Sequence, residues 1–244
     1  MSEVSVTLAP DRSLFAPRRQ WGVALRALRR LLADKDDTAQ VFEIMRALNG
    51  PATMRGYRRL LRTAQGGRLA YDRLELAPML ADQAWLDGFA PDAVGGAYRT
   101  FMRQENLSSE GLAEIGRRQI AALEMRHPHF WYARRTRDVH DIWHVLSGYG
   151  RDALGEGCLV AFSYAQTKGL GWALIALGAA FRARPGRQPY LRAIWEAYRR
   201  GRSAAWLPGE DYVALLAEPL EEARRRLGLN PPAIYLSIPQ DLRG

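Results

Sequence analysis

The segment HDIWHVLSGYGRDALGE, residues 140–156, holds the residue types and spacing in this chain that are most suited to chemistry. On a helix that turns by about 100° per residue, His140 and His144 lie about 40° apart, and Asp141 lies about 100° from His140. The three side chains can therefore face one cavity. Two imidazoles one helical turn apart can chelate a single ion, and a carboxylate completes such a set at zinc sites.

Glu156 would lie about 120° from His144 if the helix ran straight on, so it could not close the same site. Gly148 and Gly150 are expected to end the first helix, and Asp152 is suited to cap a second one. The resulting helical hairpin brings Glu156 back against the first helix. Bundle proteins build metal sites from facing helices in this way.

A different interpretation treats the two motif histidines as ordinary surface or core residues with solvated carboxylates beside them. Three details favour a metal site. All the histidines of the chain, namely His127, His129, His140 and His144, fall in one short segment. Their surroundings (IWHVL) are apolar, and the glycine break returns a carboxylate. His127 and His129 could support the metal ligands, but Pro128 between them favours an exposed loop.

The elements that must position this site are predicted to be helices, because nearly every segment has helical periodicity. With 244 residues and 48% hydrophobic composition, the chain can bury a real core. We expect one all-α domain over residues 1–244, a multi-helix bundle of about ten helices with a helical-hairpin metal site. Residues 1–18 are expected to form a loosely ordered arm. Short extended pieces are expected at EVSVTL (3–8) and AIYLSI (233–238).

The segment RRQWGVALRALRRLLADKDD (18–37) predicts an amphipathic helix with a basic side. Its apolar face consists of Trp21, Ala24, Leu25, Leu28, Leu31 and Leu32, and its basic side of Arg26, Arg29 and Arg30. Such a helix can lie on an anionic membrane, but packing on the protein core is the favoured interpretation.

The formal charge of +9 comes almost wholly from arginine, since Lys35 and Lys168 are the only lysines. The arginines are scattered and usually lie beside acids, so nucleic acid is not an expected partner. An anionic membrane surface or an acidic substrate fits better. The single cysteine, Cys158, excludes an intramolecular disulfide and is expected to be buried. The N-terminal residues lack the apolar core of a signal peptide, and no run approaches the roughly 20 residues of a spanning helix.

The motif residues resemble those of a known family, the coenzyme Q (ubiquinone) biosynthesis protein four family. HDIWHVLSGYGRDALGE fits its pattern His-Asp-x2-His-x11-Glu, with RDVHDIWHVL before it and LGEGCLVAFSYAQTKGL after it. The resemblance runs from GGAYRTFMRQENLS to PLEEARRRLGLNPP and is only echoed upstream, in GGRLAYDRLELAP. It implies an all-helical fold in which His140, Asp141, His144 and Glu156 bind the metal.

The same resemblance implies a setting for the protein. Members of the family work on the matrix face of the mitochondrial inner membrane with the other ubiquinone biosynthesis enzymes, and they are thought to hold prenylated ring intermediates. For this chain the corresponding place is the cytoplasmic face of a bacterial inner membrane, as a peripheral protein. A homodimer is compatible with the sequence.

Two functions compete on this basis. In the first, a metal-dependent decarboxylase (a lyase) removes the C1 carboxylate of a prenylated 4-hydroxybenzoate, with or without oxygen. One divalent ion would be bound, zinc or iron, with manganese or magnesium as alternatives. Arg134, Arg135 and Arg137 would neutralise the acidic head group, unless they merely form a solvated helix start. In the second, a non-catalytic scaffold binds prenylated quinone intermediates and organises the biosynthetic complex.

The apolar segment LGWALIALGAAF (170–181) is the candidate groove for the polyprenyl tail, although a central core helix, apolar all round, is the favoured interpretation. An HD-type metal phosphohydrolase is also all-α and uses an adjacent His-Asp pair. It would need a ligand histidine well upstream, and no histidine precedes His127. A purely structural zinc site would normally be closed and rich in cysteine, which favours chemistry over a structural role.

Overall fold

The computed structural model describes residues 19–34, 37–104, 128–182 and 188–244. Its first half contains α1 (Trp21–Ala33), α2 (Thr38–Leu48), α3 (Gly50–Leu60), α4 (Gly66–Asp72), α5 (Leu76–Ala81), α6 (Gln83–Asp87) and α7 (Val94–Gln104). Its second half contains α8 (Pro128–Asp138), α9 (His140–Ser147), α10 (Ala153–Thr167), α11 (Leu170–Arg182), α12 (Gln188–Ser203), α13 (Tyr212–Ala217), α14 (Leu220–Leu227) and α15 (Ala233–Ser237). Two short 3-10 helices span Leu207–Gly209 and Gln240–Leu242.

The predicted all-α, multi-helix fold is confirmed. Within the described residues no strand forms, and the β-type pairing is limited to one isolated bridge between Ala93 and Pro219. These residues form fifteen α-helices, more than the sequence suggests, because some apolar stretches break. Asp82 illustrates the reason, since its carboxylate accepts a hydrogen bond from Trp85 N–H and starts α6 one residue after α5 ends.

One expectation about extended structure is wrong. The first five residues of AIYLSI form the short helix α15, in which Tyr235 is buried, instead of a strand. Short apolar runs do not distinguish helix from strand by periodicity, and here Pro232 precedes the helix as its N-cap residue. The other predicted piece, EVSVTL, and the predicted N-terminal arm lie outside the described residues.

The main core surrounds α9 and α10 and includes the buried side chains of Trp143, Phe162 and Tyr212. The α10–α12 pair forms the most extensive helix contact in the described chain. Gln166 of α10 joins this pair to the next loop: its amide donates to the carbonyls of Gly201 and Ala205 and accepts from Leu207 N–H. The chain thereby satisfies buried polar groups at the far end of α10.

A second core cluster is formed by α1 and α2, and α11 packs against it through Leu174 and Ile175. In α1 the buried residues are Ala24, Ala27 and Leu31, of which Ala24 and Leu31 belong to the predicted apolar face and Ala27 does not. Trp21 and Leu25, however, are 46% and 49% exposed. The part of α1 that is buried against the protein is therefore narrower than the apolar face predicted from the sequence.

No helix in the described ranges combines the length and the apolar character needed to cross a bilayer. The helix α11 is the most apolar candidate, but it spans only thirteen residues. This finding agrees with the sequence expectation.

Gly201 allows α12 to approach α10 closely, so we predict that Gly201→Ala destabilises the protein. A Cβ at this position would lie 2.7 Å from the Phe162 carbonyl oxygen and 2.9 Å from Ala165 Cβ. We expect the free energy of unfolding in urea to fall by about 1–3 kcal/mol, despite the better helix propensity of alanine. Gly67→Ala is the control, because a Cβ there meets no atom within 4 Å. Equal stability of the two variants would contradict the packing argument.

Candidate metal centre

The helical hairpin predicted around the histidine motif is present. The first helix, α9, ends at Gly148, whose φ of +78° would strain any residue with a side chain. The second helix, α10, begins after Asp152, whose carboxylate accepts a hydrogen bond from Gly155 N–H at 2.8 Å. Glu156 therefore lies in the first turn of α10, where the helix dipole favours a negative charge.

The hairpin brings the four motif residues together. One ligand atom from each of His140, Asp141 and His144 can be chosen so that all lie within 4.8 Å of one another. Glu156 Oε1 lies 3.5 Å from His144 Nε2. The described residues thus contain a His-Asp-His group that can hold a metal ion, with a second carboxylate beside it. That these residues bind a metal stays a prediction.

The tautomer of His144 is fixed by the turn of the hairpin. Its Nδ1 lies 3.0 Å from the carbonyl oxygen of Tyr149, which can only accept a hydrogen bond, so Nδ1 carries a proton. The side chain is fully buried, and its Nε2 has no hydrogen-bond partner in the structure. In the neutral ring, the lone pair on Nε2 faces the carboxylate of Glu156. A cation between them, either a proton on Nε2 or a metal ion, removes this repulsion, so the arrangement fits a metal ion.

Aromatic rings enclose the two imidazoles. Phe101 of α7 stacks on His144 with ring centroids 5.4 Å apart, and Trp172 of α11 stacks on His140 at 5.7 Å. These rings limit how the imidazoles can turn and keep water from one side of the centre. The His140 and Asp141 side chains remain partly exposed, so the centre opens on their side.

Both carboxylates of the centre are ionised at neutral pH. Burial raises the pKa of Glu156, but the neighbouring rings of His144 and His140 and the Arg151 guanidinium outweigh it, and the pKa falls to about 2. Burial likewise opposes ionisation of Asp141, yet its contact with His140 holds its pKa below the usual range. The pKa of His140 is raised: burial lowers it, but Asp141 and Glu156 outweigh that effect. The centre therefore attracts cations.

The three arginines predicted to meet the substrate have other partners in the structure. Arg134 forms an ion pair with Glu75 at 2.5 Å, and Arg137 binds Asp138 at 2.7 Å. Arg135 is buried, donates to the Glu210 carbonyl and lies over the ring of Tyr212. Burial lowers the pKa of Arg135. Their role toward a substrate stays a prediction.

Two residues of the centre were missed by sequence reasoning. Arg151, in the turn of the hairpin, places its Nε 3.3 Å from Glu156 Oε1. Tyr235 of α15 accepts a hydrogen bond from Gly150 N–H at 3.0 Å and donates one to the Asp152 carboxylate. Arg151 could have been noticed from its place between the two motif halves. Tyr235 follows the motif by about eighty residues, and no pattern in the sequence connects it to the turn.

The expectation for His129 is wrong. Instead of lying in an exposed loop, this side chain is buried in α8, which begins at Pro128. Proline is well tolerated in the first turn of a helix, where its missing N–H has no partner to lose. His127 lies outside the described residues. Cys158 is fully buried, as expected, and burial raises the pKa of its thiol.

Comparison with known proteins identifies a family that this chain matches over most of its length. The family model described as "Coenzyme Q (ubiquinone) biosynthesis protein Coq4" matches residues 19–233. "Ubiquinone biosynthesis protein coq4, mitochondrial" of Pyrenophora tritici-repentis is 27% identical over 179 residues, which cover 71% of this chain and 58% of that protein. The Rattus norvegicus homologue named "Ubiquinone biosynthesis protein COQ4 homolog, mitochondrial" is 25% identical, covering 70% and 63%. The chain thus spans about three-fifths of the length of these relatives.

A solved structure supports the fold. The crystal structure of "a Putative ubiquinone biosynthesis protein" from Nostoc punctiforme matches with a TM-score of 0.66. The match covers 86% of this chain and 99% of that one, at 20% sequence identity. At this identity the likeness shows a shared fold.

We predict that Tyr235→Phe weakens metal binding without removing a ligand. Loss of the hydroxyl frees Gly150 N–H and the Asp152 carboxylate, so the turn that presents the Tyr149 carbonyl to His144 is no longer fixed. Groups that orient metal ligands typically contribute about 10–100-fold in affinity, and we expect a loss in that range for Zn²⁺ or Co²⁺ in competition with a chelator.

Trp206→Phe is the matched control for Tyr235→Phe. It removes one hydrogen bond, from the indole N–H to the Gln166 carbonyl, at the far end of the same helix α10. Its metal affinity should equal that of the wild type. If both variants weaken metal binding equally, the effect reflects general stability, and the role of Tyr235 in the turn is refuted.

Proposed function

The chain belongs to the coenzyme Q (ubiquinone) biosynthesis protein Coq4 family, and on this premise we propose that it is a metal-dependent decarboxylase of a prenylated 4-hydroxybenzoate. The observation that best supports a bound metal ion is the buried, unpartnered Nε2 of His144, which faces the ionised Glu156 carboxylate. A pair of imidazoles and a pair of carboxylates suit zinc or iron, with manganese or magnesium as alternatives.

His140, Asp141, His144 and Glu156 would hold the ion. When bound, such an ion acts as a Lewis acid toward a carboxylate or phenolate oxygen, and a redox-active one also supports oxidative chemistry. Asp141 orients the ring of His140, whose Nδ1 lies 3.6 Å from its carboxylate. The Tyr149 carbonyl orients His144. Ligands that are preorganised in this way do not need to rearrange during the reaction.

The helix α11 supplies an apolar surface next to the centre. Trp172, near its beginning, stacks on His140, and the residues that follow, 173–176, are half-buried. Leu177 is 53% exposed. The expectation of a central core helix is therefore wrong at Leu177, because the contacts of α11 with α1, α2 and α10 leave this part of the helix exposed. A half-covered apolar surface that starts at the centre supports binding of a prenyl tail there.

The same surface supports the second candidate function, a scaffold that binds prenylated intermediates for the other ubiquinone biosynthesis enzymes. In that case the ion would orient a polar head group without turnover. The two candidates differ in whether carbon dioxide is released from the bound substrate.

We also propose a peripheral position on a membrane. The matched relatives carry "mitochondrial" in their names, and for this chain we propose the cytoplasmic face of a bacterial inner membrane. Trp21 and Leu25 are exposed on α1, as are the three arginines of its basic side, Arg26, Arg29 and Arg30. An aromatic ring among arginines suits an anionic lipid surface. Contact with other ubiquinone biosynthesis enzymes is proposed on the same family basis, and a homodimer stays a prediction.

Replacing a ligand should abolish metal binding and turnover together. The assay is release of carbon dioxide from a short-tailed prenyl-4-hydroxybenzoate by protein reconstituted with iron or zinc, with bound metal measured by elemental analysis. We expect His144→Ala and Glu156→Ala to lose more than the roughly 10–100-fold that changes outside the ligand set cost. Glu222→Ala, which alters an exposed glutamate, is the control.

The outcome also separates the two candidates. Metal-dependent release that is lost in both ligand variants supports the enzyme. Stoichiometric metal and tight binding of the prenylated compound without release would refute the decarboxylase and favour the scaffold. Protein that takes up no metal would refute both forms of the metal hypothesis.

Reversing the charge of Arg26, Arg29 and Arg30 to glutamate should weaken membrane association. We expect less protein to sediment with vesicles that contain anionic lipid, since each basic residue near such a surface contributes about 1 kcal/mol. The control reverses Arg55, Arg58 and Arg62, which are exposed on or just after α3. If both triple variants lose binding equally, net charge accounts for the association, and a specific role of α1 is refuted.

A further inference from the structure

We propose that Arg151 is the residue that binds the carboxylate of the substrate, and that it is held ready by Glu156 until a metal ion engages that glutamate. This inference rests on the proposed function and deepens it, because it names the group that selects an acidic substrate. It also assigns this role to a residue outside the set predicted from the sequence.

The first observation is a shared oxygen. Glu156 Oε1 lies 3.5 Å from His144 Nε2 and 3.3 Å from Arg151 Nε. One carboxylate oxygen thus faces both a proposed metal ligand and a guanidinium. A divalent ion bound at Glu156 would partly neutralise the charge of its carboxylate. The attraction between Glu156 and Arg151 would then weaken, and the guanidinium would become available to another anion.

The second observation is the position of Arg151. Its backbone lies in a fixed turn, since the preceding Gly150 N–H is bound by Tyr235 and the following Asp152 caps α10. Its side chain, in contrast, is about one-third exposed, as is that of Glu156. A long side chain on a rigid turn at the edge of the centre can change partners without moving the backbone.

The third observation concerns the other arginines near the hairpin, which are bound elsewhere. Arg200 donates to the Ser147 carbonyl, and Arg224 donates to the carbonyls of Val145 and Leu146, so both hold the end of α9. Arg134 and Arg137 are paired with carboxylates outside the proposed ligand set. Arg151 differs from these in that its partner is itself a proposed metal ligand.

Charge balance gives the chemical reason. Asp141 and Glu156 contribute two negative charges, as carboxylates do at neutral pH. A divalent ion with two neutral imidazoles makes the centre neutral. A substrate carboxylate adds one negative charge, which would be costly to place in a partly buried site without a counter-ion. Arg151 supplies that charge and can bind a carboxylate through two parallel hydrogen bonds.

The test measures ligand binding, separately from turnover. Calorimetric titration of the zinc-loaded protein uses 4-hydroxybenzoate as the probe and phenol as a neutral analogue of similar shape. In Arg151→Gln we expect the affinity for 4-hydroxybenzoate to fall by roughly 10–100-fold, as for the loss of a charged hydrogen bond, while the affinity for phenol is unchanged. Arg151→Lys should restore part of the loss. Arg199→Gln, an exposed arginine of α12, should resemble the wild type.

Metal affinity provides a second readout. Because Arg151 competes with the ion for Glu156, Arg151→Gln should bind Zn²⁺ as tightly as the wild type or more tightly. A purely structural role of Arg151 in the turn would instead weaken metal binding, as is expected for Tyr235→Phe.

Several outcomes would overturn the proposal. Wild-type binding of 4-hydroxybenzoate by Arg151→Gln would do so, as would an equal loss for phenol, or loss in Arg137→Gln alone, which would favour the arginines predicted from the sequence. If the zinc-loaded wild type binds neither probe, the assignment of Arg151 is also wrong. Failure of the wild type to bind metal is a different result, since it refutes the proposed function on which this inference rests.

Discussion

The hydrogen bond between His144 Nδ1 and the Tyr149 carbonyl is the interaction on which the centre depends. It joins the last turn of α9 to the loop that follows, and it leaves Nε2 as the free nitrogen of a buried ring. The left-handed Gly148 lets the chain turn sharply enough to form it. Asp152 and Tyr235 then fix the loop from the other side, so that Glu156 returns to His144. The proposed ligand set comes from two helices, so its geometry depends on the turn that joins them.

The turn also determines which charges lie close together in the centre. The hairpin holds two ionised carboxylates beside two imidazoles in a partly enclosed site, an arrangement that is costly unless cations compensate it. In the structure, Arg151 supplies positive charge at the edge of the centre. The two carboxylates also raise the pKa of His140, which favours its charged form. A divalent ion would replace both. The unpartnered Nε2 of His144 and the proposed role of Arg151 therefore have the same cause, since the two carboxylates need positive charge nearby.

The packing of the helices determines what surrounds the centre. The α10–α12 pair can approach closely because Gly201 has no side chain, and this contact anchors the second arm of the hairpin in the main core. The helix α11 lies between the main core and the smaller cluster formed with α1 and α2. Because neither covers it fully, an apolar surface extends from Trp172 at the centre. The proposed chemistry and the proposed tail-binding surface are thus neighbours through α11.

The sequence by itself determined the local features: the all-α fold, the His-x3-His face, the glycine break, the Asp152 cap and the return of Glu156. These depend on residues that lie close together in the chain, where periodicity and capping preferences act directly. Tertiary structure decided the rest. It gave Arg134, Arg135 and Arg137 other partners, buried His129, turned AIYLSI into a helix and brought Tyr235 to the turn. The physical reason is that partner choice among distant side chains depends on how helices pack, and packing is set by the whole core, which no local pattern specifies.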